Sequence, residues 1–168
     1  MDILHTEKYE NVILFLCSRI GASGVEGKKK LAKLLYYVDF DRFEFEESML
    51  TITGDVYKRL PMGPYPESMT SIIEGLARKG SLKVSHRDNA APYSPTTVYQ
   101  ACDEPDMSLF NDDDIAILER VAQKYLHLNG KQLENLSHEE APWLAVDPTE
   151  VIPFELAYYR ATDFRNAA

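Results

Sequence analysis

Apolar residues recur at spacings of three and four along much of the chain, which is the signature of amphipathic helices. In residues 7–20, Val12, Ile13, Leu16 and Ile20 share one face, and Gly21 and Gly24 end the segment, predicting a first helix. The following stretch, GKKKLAKLLYYVDFDRFEFEES, sets Leu31, Leu34, Leu35, Val38 and Phe45 on one stripe, with Tyr36, Tyr37, Phe40 and Phe43 on its flanks. A helix apolar over so much of its circumference belongs at the centre of a fold.

The pattern then changes period. Residues 50–60 alternate and carry β-branched and aromatic side chains around a Thr-Gly-Asp turn signal, predicting a short extended segment. The next stretch, YKRLPMGPYPE at residues 57–67, holds Pro61, Pro64, Pro66 and Gly63. Fixed φ at the prolines and free φ at the glycine make a rigid loop, either a hinge or a binding site. Pro66 is expected to open a helix to residue 79, with Met69, Ile72, Ile73 and Leu76 on its apolar face and Gly80 as its stop. SLKVSHR and TTVYQAC alternate on either side of a polar loop and read as an antiparallel hairpin. Asn111 caps a further helix with three aspartates in its first turn.

The C-terminal third is expected to hold short helices: a capping box from Ser137 to Glu140, a second start at Asp147, Pro148 and Glu150, and a last helix docking Phe154, Leu156, Ala157 and Tyr158. The expected class is α+β and predominantly α-helical, a compact helical domain with a small antiparallel β-hairpin.

Composition narrows the function. At 168 residues and 45% hydrophobic, the chain should form one domain over 1–168 with a substantial core. Its net charge of −9, from 18 basic and 27 acidic side chains, opposes approach to nucleic acid or an anionic membrane. The N-terminal apolar run VILFLC is broken by Arg19 and lacks a basic start, so neither a signal peptide nor a spanning helix is expected. Two cysteines without metal spacing point to a reducing cytoplasm.

Motifs for catalysis are missing. The four histidines form no zinc-binding pattern, GASGVEGKKK lacks the Gly-Lys-Ser/Thr ending of a phosphate loop and reads as a flexible turn, and no Gly-x-Ser-x-Gly elbow occurs. No cofactor or metal is therefore expected. His138 beside Glu139 and Glu140 resembles an acid/base pair, but a cap accounts for the glutamate. Asp39, on the helix expected to be central, needs a partner: Tyr57, Arg59 or a loop amide, as a structural tie or as part of a pocket. A weak enzyme reading would rest on Asp39 and His138. The segment 66–79 followed by the hairpin also has the order of a recognition helix and wing, with Arg78, Lys79, Lys83 and Arg87 nearby, making a winged-helix regulator the alternative. Lys28, Lys29 and Lys30 oppose the dipole of the helix they begin and have no structural account, which leaves room for a partner contact.

Three stretches, KKKLAKLLYYVDFDRFEF, ITGDVYKRLPMGPYPESM and GKQLENLSHEEAPWLA, together resemble the Panacea antitoxin family, the phage-associated or SocA-like antitoxins, over roughly residues 8–145. The resemblance implies a mostly helical domain that neutralises a toxin encoded beside it through protein contacts, without catalysis; some members resemble adaptors that hand the toxin to a cellular protease. The family pattern falls on Lys33, Leu34, Tyr36, Tyr37, Asp39, Gly54, Tyr57, Gly63, Pro64, His138 and Trp143, and Arg59 joins them as a candidate contact.

Overall fold

The computed structural model describes residues 3–165. Helix α2 (Lys28–Glu44) is its axis, and every residue from Lys30 to Glu44 is buried. Its sequence has no Gly or Pro, and its first half is rich in Lys and Leu, which favour helix. Around it pack α4 (Asp112–Tyr125), α5 (Gly130–His138) and a 3₁₀ segment, Phe154–Arg160, while α1 (Thr6–Ile20) lies against α4. The first helix ends at Gly21 as expected. The capping box of α4 joins Asn111 and Asp114, whose carboxylate also pairs with Arg42 at 2.8 Å.

The predicted hairpin is β4 (Leu82–Arg87) and β5 (Thr96–Ala101), and β1 (Val25–Glu26) extends it to an antiparallel sheet of order β1-β5-β4. The glycine-rich stretch before α2, expected to be a flexible turn, thus contributes a strand. Helix α3 (Met69–Arg78) buries Met69, Ile72, Ile73 and Leu76, the predicted face.

Several expectations are corrected. The extended run expected over 50–60 is strand only at β2 (Tyr57–Leu60), and the proline stretch is not a loop but the rest of a hairpin, with β3 (Gly63–Pro66) pairing back on β2. Pro64 lies opposite Arg59 and Pro66 opposite Tyr57, alternate positions that put both missing N–H groups on the edge of β3 away from β2. Pro66 therefore closes a strand and does not open a helix. The start of α3 is held from a distance: Asp55 accepts from the Ser68 amide at 3.0 Å and from the Tyr9 hydroxyl at 2.6 Å.

Ser137 does not cap a helix either. It lies inside α5, whose capping box is Asn129 with Gln132, and Glu140 precedes the short α6 (Ala141–Leu144). Residues 147–150 form no helix, because the outer edge of β2 recruits them. Arg59 donates its amide to Glu150 and accepts from the Thr149 amide, and Ile152 donates to Tyr57. The last helix is 3₁₀, with Ala157 buried.

The basic start of α2 now has a partial account: Lys29 pairs with Glu134 at 3.2 Å, and Lys30 donates to the Leu126 carbonyl just past α4 at 2.7 Å. At the other end of α2, Arg160 pairs with both Asp41 and Glu44 at 2.8 Å, and Arg120 stands 3.4 Å from Asp41. Glu44 also accepts from the amide and hydroxyl of Thr162, so the C-terminal segment is fastened to the central helix by polar bonds. Removing Arg160 leaves the Glu44 carboxylate in the interior without its cation. Arg160→Met should therefore lower stability by about 3–5 kcal/mol, read as a drop in the urea midpoint at unchanged slope.

Candidate functional site

The residues singled out in the sequence converge on the β2–β3 hairpin, where three sets of contacts fasten it to the helices. The first is Asp39. Its carboxylate is wholly buried and accepts from the amides of Ile52 (2.9 Å) and Thr53 (3.0 Å), the Thr53 hydroxyl (2.5 Å) and the Tyr57 hydroxyl (2.6 Å). Burial lifts its pKa above the ordinary value and pushes that of Tyr57 well up. Tyr57 and loop amides are thus the partners of Asp39, as expected, whereas Arg59 turns elsewhere and bonds the carbonyl of Val146.

The second set is Lys33, Gly63 and Pro64. Lys33 is 1% exposed and donates to the Pro64 carbonyl at 3.1 Å. Desolvation lowers its pKa from 10.5 to about 8. Gly63 has φ of 118°, and a Cβ there would collide with Lys33 Cε and lie 3.0 Å from Ser137 Oγ. Glycine is required by space and by backbone together.

The third set is aromatic. The His138 ring stacks on Trp143 at 3.9 Å between centroids, the Arg59 guanidinium lies 4.0 Å from the Trp143 ring centre, and Trp143 Nε1 donates to the Leu60 carbonyl at 3.0 Å. Burial lowers the His138 pKa, which favours the neutral ring that stacks here. Behind it, Tyr36 donates to Glu140 at 2.7 Å, and Tyr37 stacks on Tyr125 at 3.9 Å. Burial raises the pKa of Glu140 despite Arg160 nearby.

Most of these side chains are closed to solvent. Arg59, His138 and Trp143 are partly exposed, as is Glu140, and Leu144, next to Trp143 in the chain, is 57% exposed. They form an accessible face with an aromatic centre. Sequence reasoning missed Thr53, Asp55 and Glu140 as partners, because each acts on a residue far away in the chain. Asp39 makes no hydrogen bond to His138: its four hydrogen bonds go to Ile52, Thr53 and Tyr57. In the wing-like region, Lys79 pairs with Glu10 at 2.6 Å and Arg87 with Glu26 at 2.7 Å, while Arg78 and Lys83 stay exposed. Among the described residues, no group of three or more His, Cys, Asp or Glu is placed to hold a metal, and no helix is long and apolar enough to cross a membrane.

Residues 31–144, more than half of the chain, match the family model described as antitoxin SocA-like, Panacea domain. No curated protein and no solved structure gives a match.

Two outcomes test this geometry. Gly63→Val forces a side chain onto Lys33 at positive φ and should cost about 1–3 kcal/mol in urea unfolding. Lys33 titrates lower when folded than unfolded, so the folded state binds fewer protons between pH 8 and 10.5. The cost of burying its charge is fully present below that window, and stability rises as pH climbs through it. Lys33→Met should flatten this rise in a series of unfolding curves.

Proposed function

The chain belongs to the SocA-like antitoxin family that carries the Panacea domain, and from that premise we propose that it neutralises a partner toxin by direct protein contact, with no catalysis of its own. The observation that carries the reading is the state of the motif residues. Asp39, Lys33 and Tyr57 are buried and engaged in the fold. What reaches solvent is the face of Arg59, His138, Trp143 and Leu144. Tryptophan and arginine dominate the binding energy of many interfaces, and a platform already ordered by its own hydrogen bonds loses little entropy on association.

The free cysteines, Cys17 buried and Cys102 exposed, fit the reducing cytoplasm. The net charge of −9 supports rapid capture of a partner whose surface is largely basic. Delivery of the bound toxin to a cellular protease extends the proposal; its support is the family resemblance, and its test is the half-life of the toxin with and without this protein.

Co-expression with the neighbouring gene tests the function. The neighbour alone should arrest growth, the wild-type chain should restore it, and Leu144→Glu, a change at an exposed position, should weaken the complex about tenfold or more in calorimetry. A neighbour that is harmless, or that stays toxic beside the wild-type chain, would end the antitoxin reading.

A further inference from the structure

A groove of about 900 Å³ runs between the first turn of α2, the β2–β3 turn and the loop that joins β4 to β5. The contacts described above do not use it. Its walls include Met62, Tyr93 and Pro95 together with Lys28 and Lys29, and no carboxylate lines it, although acidic side chains outnumber basic ones 27 to 18 in the chain. Met62 is 57% exposed and Tyr93 74% exposed, an apolar pair at its mouth.

Two features distinguish this groove from an incidental gap. Lys28 opposes the dipole of α2, so its position disfavours the helix slightly. Lys29 is matched by Glu134 and Lys30 by a carbonyl, but Lys28 has no carboxylate partner among the described residues and lies 5.6 Å from the Tyr65 ring centre. The far wall is also shaped in advance: Asn89 donates to the Ser94 carbonyl at 2.7 Å and to the Thr96 hydroxyl at 2.9 Å, bridging the loop that carries Tyr93. Two acidic groups on the neighbouring elements are committed to other cations, Glu26 to Arg87 and Glu134 to Lys29 and Lys131, while Asp88, exposed in the loop beside Asn89, lies outside the lining.

We propose that this groove docks a short acidic segment of the partner toxin, one apolar or aromatic side chain lying between Met62 and Tyr93 and a carboxylate facing Lys28. The volume suits a few side chains rather than a whole domain. Charge complementarity selects the occupant, because in a chain of net charge −9 a lysine without a carboxylate partner, Lys28, in a groove whose lining holds no carboxylate fixes where an acidic segment is tolerated. The inference deepens the antitoxin reading and rests on it for the identity of the partner.

The test uses the full chain and the purified product of the neighbouring gene, with an array of overlapping peptides from that product. Lys28→Glu places a favourable charge at a helix start, and Tyr93 is exposed, so both Lys28→Glu and Tyr93→Ala should fold. Each should weaken binding about tenfold, added salt should weaken wild-type binding, and the retained peptides should be acidic with an apolar residue. Unchanged affinity in both variants, a retained peptide that is basic, or a self-association lost in Lys28→Glu would overturn the groove while leaving the antitoxin reading intact. If the neighbour proves harmless, that reading fails first. The groove is then judged on an array of acidic aromatic peptides and their amide counterparts, where equal retention overturns it and preference for the acids upholds it.

Discussion

A helix buried on every side has to satisfy its charges inside the protein, and that constraint organises this fold. Helix α2 carries Lys33, Asp39, Asp41, Arg42 and Glu44 into the interior, and between them they recruit four separate parts of the chain. Lys33 takes the Pro64 carbonyl, Asp39 the loop before β2, Arg42 the start of α4, and Asp41 with Glu44 the C-terminal segment through Arg160. Apolar packing supplies the bulk of the stability, but it is non-directional. The buried polar bonds state which segment lies where, since an unpaired charge at any of these positions would be costly.

This wiring separates the motif into two roles. Asp39, Tyr57, Lys33 and Gly63 hold the hairpin against α2 and are closed to solvent. Arg59, His138 and Trp143 sit where the same hairpin meets α5 and α6, and there the motif reaches the surface. A stacked indole with its N–H already bonded to Leu60 offers a fixed aromatic surface. The hairpin is therefore the mechanical link between the buried charges and the accessible face.

The helices were legible because their apolar spacing is local, and α2 was readable as central from its aromatic flanks. Asp39 was legible as a buried carboxylate in need of a donor, and Tyr57 was among the named partners. The proline stretch was misread because three prolines suggest a break, although Pro64 and Pro66 are two apart, the one spacing that keeps a strand edge free of N–H groups. Ser137 was misread because Ser-x-x-Glu fits a cap as well as it fits the end of a helix. Asp55 holding Ser68, and Arg160 holding Asp41, link residues far apart in sequence, and no local pattern encodes them.

Both sides of the β2–β3 hairpin are closed, β2 by residues 149–152 and β3 by prolines without donors. An open strand edge is a template on which further chains pair and aggregate. The prolines that make the stretch rigid therefore also shield it: the hairpin exposes an aromatic face without offering its backbone to other extended chains.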